Sequence, residues 1–336
     1  MTSSARGPAV VTLTANPSLD RTLALPGPLE RGAVARLGPS VTEPGGKGVN
    51  VSRALAAAGV DVVSVLPAGP EDPMVRALDA LGLRLATVPV PTPVRTNYTL
   101  TEPDGTTTKL NEPGSPLDAG VRAQLLTALQ QHAAGARWVV LSGSLPPGTP
   151  VDWYASLVRE LRAGAGGSGA RIAVDTSEAP LLALLSAGRD AVPDLLKPNT
   201  EELAQLAGVP EAALLADPAA VRAAVADLHD RGVAEVLLTL GAEGALLSTA
   251  DGRWWARPPA VPVRSTVGAG DSSLAGHLLA DLSGADPAAR LRTAVAYGAA
   301  SAALPGSAVP TPPQADPAGV RVDRERPGAP VPAADH

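Results

Sequence analysis

Among its 336 residues the sequence has no cysteine and no phenylalanine, and aromatic residues of any kind make up only 2%. Without cysteine there can be no disulfides, thiolate metal sites or cysteine nucleophiles. So few aromatics remove the stacking platforms that single-stranded nucleic acid requires. The four histidines, His132, His229, His277 and His336, are too scattered to suggest a metal cluster. The formal net charge of −6 has the wrong sign for a phosphate-backbone binder, so no nucleic acid partner is expected. No apolar run approaches the roughly 18 residues of a membrane span, so no membrane partner is expected either. Met1 to Ala9 lacks the charged start and apolar stretch of a secretory signal, which makes a cytoplasmic enzyme the expectation.

What is present suits a folded enzyme. Hydrophobic residues make up 45% and charged residues 18%, enough to bury a substantial core. That core must be built from Ala, Val and Leu. At roughly 100–200 residues per domain, the length allows two units or one large α/β domain. Short apolar runs occur at Val10 to Ala15, Val60 to Leu66, Trp138 to Leu141, Arg171 to Val174 and Val236 to Leu240, with Gly244 to Ser248 following. Several end in Gly, Asn, Asp or Ser, as buried parallel strands entering loops do. Helix-like segments lie between them: Asn50 to Ala58, Pro116 to Ala133, Thr200 to Ala207, Pro218 to Asp230 and Asp271 to Leu282. The alternation predicts an α/β sandwich with a mostly parallel sheet and ligands at the carboxyl ends of its strands.

Two stretches, about 21–44 and 90–112, break this rhythm with extended segments and turns. Thr96 to Leu100 and Thr106 to Leu110 flank Glu102-Pro-Asp-Gly105, a hairpin signal. The two stretches are either a small separate sheet, a candidate lid, or two ordinary surface hairpins. Gly164 to Gly169 reads as a flexible surface loop. Eight prolines fall between Pro305 and Pro332, and 324–336 reads as a disordered tail beyond a single domain at 1–323.

Six segments bear on chemistry, and each has a plain structural reading beside the functional one. Ser265-Thr-Val-Gly-Ala-Gly-Asp271 precedes a helix. Its small residues let backbone N–H groups reach an anion, and the helix points its positive end there. Asp271 is then either a helix cap or a base beside the phosphate-binding backbone. Pro44-Gly-Gly-Lys-Gly-Val-Asn50 is not a Walker A loop. It is either a glycine turn or a polar-ligand site offering Lys47 and Asn50. Asn16-Pro-Ser-Leu-Asp20 ends the first strand, with Asp20 as an Asx-turn or an acceptor for substrate hydroxyls. Lys197-Pro-Asn-Thr-Glu-Glu202 fits a capping arrangement, or a Mg²⁺ and nucleotide-phosphate site at Asn199 and Glu202. Leu141-Ser-Gly-Ser-Leu-Pro-Pro-Gly148 places small residues, Ser142 among them, at the edge of the site. Thr239-Leu-Gly241 and Gly244 end a further strand.

Taken in order, NPSLD, GGKGVNVSRAL, LSGSLPPG, KPNTEEL, TLGAEGA and STVGAGDS resemble the PfkB/ribokinase family of carbohydrate kinases, over roughly Val10 to Val322. GGKGVNVSRAL and STVGAGDS are the specific parts. The resemblance implies a ribokinase-like three-layer α/β sandwich, a β-sheet lid, and a homodimer formed through that lid. It makes Asp271 the catalytic base and the backbone of Gly268, Ala269 and Gly270 the anion hole. Asp20, Gly45, Gly46, Lys47, Asn50 and Ser142 would bind a small-molecule sugar phosphate, with Arg95, Lys109 and Glu112 reaching it from the lid. Lys197, Asn199 and Glu202 would serve ATP phosphates and Mg²⁺, the metal through water, and Thr239, Gly241 and Gly244 would line the ATP side. His277 stands where relatives often carry Phe, which implies a packing substitution. The reaction implied is transfer of the γ-phosphoryl group of ATP to C6 of D-fructose 1-phosphate. Phosphorylation of tagatose 6-phosphate or fructose 6-phosphate at C1 is the alternative. A silent sensor on the same fold would need a damaged base or anion loop, and Asp271 and its glycines are intact.

Overall fold

In the computed structural model, residues 7–38, 40–163 and 169–325 are described. The first strand, β1 (Val10–Thr14), is followed by β2 (Ser18–Ala24), β3 (Ser40–Gly45) and α1 (Lys47–Ala57). Next come β4 (Val62–Pro67), α2 (Pro73–Ala80), β5 (Arg84–Val88), β6 (Arg95–Thr101), β7 (Thr107–Asn111) and α3 (Ala119–Ala133). The middle of the chain forms β8 (Trp138–Ser142), α4 (Trp153–Ala163), β9 (Arg171–Asp175), α5 (Glu178–Ser186), β10 (Leu195–Leu196), α6 (Thr200–Ala207), α7 (Glu211–Ala216) and α8 (Pro218–Arg231). The remainder is β11 (Glu235–Thr239), β12 (Ala245–Thr249), β13 (Gly252–Arg257), α9 (Ala269–Leu282), α10 (Pro287–Ala302) and β14 (Arg321–Arg324).

The large sheet runs β14-β13-β12-β11-β10-β9-β8-β1-β4-β5. From β11 to β5 its pairings are parallel, while β12, β13 and β14 add on antiparallel. Successive side chains of a strand face opposite ways, and the strands use both faces. Val11 and Leu13 join one core with Leu125, Leu157, Leu184, Leu203 and Val225 from the helices of one layer. Val10 faces the other core, formed with Val51 and Leu55 of α1, Leu274 and Leu278 of α9, and Leu291 of α10. Each fully buried Leu contributes roughly 1.5–3 kcal/mol, so an aromatic-poor chain still closes two cores around a central sheet.

The second sheet, β3-β2-β6-β7, consists of strands from the two irregular stretches. β2 lies parallel to β6, and β6 and β7 form the expected hairpin, whose turn is closed by Glu102 N–H donating to Thr106 O at 2.9 Å.

Several boundaries differ from the sequence reading. α1 begins at Lys47, three residues early, because Gly46 (φ 104°) turns the chain directly into the helix. α3 begins late, at Ala119, because Asp118 caps it by accepting from Val121 N–H. The expected tail starts too early. Arg324 pairs with Trp254, and Glu325 N–H donates to Arg253 O at 2.8 Å, so the sheet reaches the last described residues. The rest of that tail, 326–336, and most of the glycine loop, 164–168, lie outside the described residues.

At the amino ends of the strands, a buried charge cluster pins α9 and α10 to the sheet. Arg290 donates to both oxygens of Glu235 at 2.9 and 3.0 Å and to Asp281 at 3.1 Å. Arg171 reaches the same two carboxylates at 2.8 and 3.3 Å, and the Trp138 indole donates to Asp281 at 2.8 Å. His277 belongs here. It is fully buried, with Nε2 3.3 Å from Glu235 Oε2. It borders this cluster, but neither ring nitrogen makes a hydrogen bond, so the packing role implied by the sequence is not displaced.

Candidate active site

The six segments converge at the carboxyl ends of the parallel strands. Thr14, Ser142 and Asp175 stand side by side across β1, β8 and β9. Asp175 is fully buried and lies between two lysines: Lys47 Nζ is 2.8 Å from one oxygen and Lys197 Nζ 3.0 Å from the other. Burial alone would raise the Asp175 carboxyl, but the two lysines outweigh it and hold it below its usual value. Burial likewise works against the Lys47 charge, and Asp175, Glu202 and Asp271 reverse that, holding the ammonium well above its ordinary value.

Asp271 occupies the first turn of α9, behind Gly268, whose φ of 76° sets the entry into the helix. It is 7% exposed and accepts a 2.9 Å hydrogen bond from Asn50 Nδ2. Its carboxyl is pushed up to about 6, first by burial and then by the Asp175 charge, against the pull of Lys47, Asn50 and Lys197. The ladder of α9 opens with Ser272 N–H donating to Gly268 O at 2.8 Å, which leaves the amides of Gly268 to Asp271 ahead of it. Of these, Ala269 N–H leans weakly on Thr266 O at 3.4 Å. Lys197 lies next to Gly270, with Nζ 3.4 Å from where a Cβ would stand. A buried carboxylate, two lysines and a helix start therefore share one location. Such a place can bind an anion and accept a proton.

On the second sheet, Asp20 accepts from Ser18 Oγ at 2.8 Å and Asn97 Nδ2 at 3.0 Å. Burial raises it, opposed by these bonds and the Arg95 charge. Gly45 lies opposite Ser18, and any side chain there would overlap the Asp20 carboxylate. Arg95 donates to Glu112 O at 2.8 Å and Asn16 O at 3.3 Å, while the Glu112 carboxylate accepts from Thr96 N–H. Glu112 thus holds Arg95 in place. Lys109 is exposed on β7, paired in register with Thr99, and is not drawn into this cluster.

Ser142 and Gly244 differ in environment from what the motifs suggested, and Asn199 and Glu202 take up the capping arrangement that the sequence also allowed. Ser142 is fully buried with no hydrogen-bond partner, and the exposed hydroxyl of its loop belongs to Ser144, which receives a bond from Asn16. Gly244 is also buried, because a side chain there would strike Ala256 O, so its smallness serves the sheet. Asn199 and Glu202 form the reciprocal helix cap, with bonds of 2.8 and 2.9 Å. Asn199 Oδ1, the one oxygen of that side chain, is engaged in this cap. Glu202 keeps its other oxygen 3.7 Å from Lys47. Thr239 N–H donates to Pro198 O at 3.0 Å, joining β11 to this segment, and Gly241 is exposed beside it.

The residue that motif reading passed over is Asp175. It ends the run Arg171 to Val174, and a carboxylate at the end of a buried strand was its signal. No three His, Asp or Glu side chains gather as a metal cage among the described residues. The donor set suits a Mg²⁺ that keeps its waters and phosphate oxygens, touched by Glu202.

The chain is similar to known proteins over most of its length. The pfkB family carbohydrate kinase profile matches residues 15–314. A 1-phosphofructokinase of Rhodobacter capsulatus is 40% identical over 298 residues, covering 86% of this chain and 90% of its own. The crystal structure of phosphofructokinase-2 from Escherichia coli in complex with substrates and products superposes with a TM-score of 0.82 at 31% identity, covering 91% of this chain and 96% of that one. An Arabidopsis thaliana ribokinase, complexed with ribose and ATP, shares the fold at TM-score 0.69 and 21% identity, covering 89% of this chain and 94% of its own.

Proposed function

The chain belongs to the pfkB family of carbohydrate kinases, and from that premise we propose that it transfers the γ-phosphoryl group of ATP to the C6 hydroxyl of D-fructose 1-phosphate, giving fructose 1,6-bisphosphate. One observation carries the mechanism. The Asn50–Asp271 hydrogen bond joins two motifs 221 positions apart, so the sugar loop and the base meet.

Asp20 and Asn50 orient the sugar, and Arg95 takes its phosphate. The C6 oxygen attacks the γ-phosphorus, its proton passes to Asp271, and the bond to the bridging oxygen breaks, releasing ADP. A base with a carboxyl near 6 is ionised at neutral pH yet basic enough to accept that proton. The amides of Gly268, Ala269 and Gly270, with Lys197, stabilise charge on the transferred group. Glu202 would hold a Mg²⁺ through water, and the ion would supply neutralisation of phosphate charge. Lys47, pinned between Asp175 and Glu202, fixes the relative placement of the sugar and nucleotide sides. Thr239 and Gly241 border the nucleotide.

The second sheet acts as a lid that keeps water from the phosphoryl group. Tyr98 and Leu110 are paired on the face away from Asp20, and Leu110 is 54% exposed. That apolar face supports a homodimer formed through the lid. No helix among the described residues is long and apolar enough to cross a membrane, and an ATP-consuming sugar-phosphate kinase belongs in the cytoplasm. A coupled ADP assay with fructose 1-phosphate, fructose 6-phosphate and tagatose 6-phosphate tests the substrate. The highest kcat/KM is expected with fructose 1-phosphate; a preference for either 6-phosphate would move the reaction to C1.

A further inference from the structure

The Asp271 carboxylate depends on Asn50 donating to it, and an amide side chain can present either end. Ionised Asp271 accepts only and favours Nδ2, but protonated it could equally donate to Oδ1, so holding one orientation through the proton transfer needs a second group. Arg53, one turn along α1 and 9% exposed, is that group by its chemistry, since guanidinium has donors and no acceptor. Its Nη1 donates to Asn50 Oδ1 at 3.3 Å, to Pro44 O at 2.8 Å and to Ser307 O at 3.1 Å. Its Nη2 lies 3.6 Å from Glu43 Oε1, and Glu43 Oε2 accepts from the Ser307 amide at 3.1 Å and hydroxyl at 3.3 Å. One side chain therefore ties together strand β3 of the second sheet, the sugar loop, and the segment after α10. With Oδ1 held by Arg53, only Nδ2 is left to face Asp271.

We infer that Arg53 is a positioning residue, which keeps the Asn50 amide turned to donate to Asp271 and anchors β3 to the same point. This rests on the assignment of Asp271 as the base. The charged groups acting on Asp271 are Asp175, Lys47 and Lys197, and those acting on Arg53 are Glu43 and Asp20; none is changed by substituting Arg53. Loss of the Asn50 bond removes one influence that keeps the Asp271 carboxyl low.

The test is kcat/KM against pH for Arg53→Lys, Arg53→Met, Asn50→Ala and the double variants, with thermal melting in parallel. Arg53→Met is expected to lower kcat roughly tenfold, the scale of a hydrogen bond to a charged group, and to move the acidic limb upward by about half a pH unit. Arg53→Lys keeps the fold and charge but has one nitrogen where Arg has two at its fork, and should move the limb the same way by less. In the Asn50→Ala background neither substitution should move the limb further. If Arg53→Lys leaves both limb and kcat at wild-type values, or if its effect simply adds to that of Asn50→Ala, the inference is overturned. Should Arg53→Met fail to fold, Arg53→Lys alone decides. Turnover surviving in Asp271→Asn would instead sink the base assignment, a separate failure.

Discussion

Helix α9 carries a buried carboxylate near each end, and the two ends behave oppositely. Asp271 and Asp281 are ten residues apart, roughly 15 Å along the axis. Around Asp281, two carboxylates, Asp281 and Glu235, meet three arginines, Arg137, Arg171 and Arg290. His277 and Arg171 hold Glu235 well below the usual carboxylate range despite its burial. Around Asp271, three carboxylates, Asp271, Asp175 and Glu202, share two lysines, Lys47 and Lys197. The Asp271 carboxyl is raised to about 6, first by its burial and then by the Asp175 charge, against the pull of both lysines. Burial of charge is common to both ends, so burial does not mark function. The balance of charge separates them: buried acids outnumbered by arginines stay ionised and fix structure, whereas buried acids that outnumber their lysines leave one group that can take up a proton.

The sharpest way to break this comparison is to neutralise each end in turn. Asp271→Asn should lower kcat by about 10²–10⁴, the range for losing a general base, while ATP still binds by calorimetry. The same change should raise the melting temperature at pH 7. A carboxyl raised from 3.8 to about 6 costs stability above that window. The gain should therefore shrink as pH falls from about 6 towards 4. Glu235→Ala should do the reverse, costing roughly 3–5 kcal/mol in denaturant unfolding because buried Arg290 and half-buried Arg171 lose a partner, with kcat per folded molecule unchanged. The Glu235 contribution is present above the ordinary glutamate value of 4.5 and lost on acidification, so the variant's deficit should narrow only in acid. If Glu235→Ala lowered kcat as far as Asp271→Asn does, the two ends would not be separable.

Arg95→Ala sharpens the picture on the sugar side. The KM for the sugar phosphate should rise about 10–100-fold, as for loss of charge-assisted contacts, with ATP affinity unchanged. An altered ATP affinity with an unchanged sugar KM would place Arg95 elsewhere. Asp175→Asn is the smallest effect: it removes a charge that raises Asp271, so the acidic limb of kcat/KM should move down, by roughly half a pH unit. A limb that stays put or moves up would show that the surplus charge is not what raises the base.

The sequence already carried the sheet, because its buried strands are apolar runs ending in turn residues, and the lid stretches, because extended segments interrupted the helical rhythm. It carried Asp271, Asn50 and Asp20 because each sits in a motif of small residues that only close backbone approach explains. It did not carry α10. In its alanine-rich turns the apolar stripe barely stands out, and only packing against α9 makes it evident. Nor could it carry the ion pairs. Asp175 looks like any strand-end acid until Lys47 and Lys197 meet on it, and those residues are 128 and 22 positions away. Arg53 was hidden for the same reason, since its partners Glu43 and Ser307 come from opposite ends of the chain. His277 was legible only in part. A residue standing where an aromatic is common invites an apolar reading, and only the fold brings it to Glu235.

The most direct measurement is the titration of Asp271 itself, followed by carbon-13 NMR of carboxyl-labelled aspartate, with its resonance assigned by its loss in Asp271→Asn. A midpoint near 6 in the wild type, moving down in Asp175→Asn, is the predicted result. A midpoint near 4, unmoved by that substitution, would contradict the claim that burial beside the Asp175 charge makes Asp271 a base.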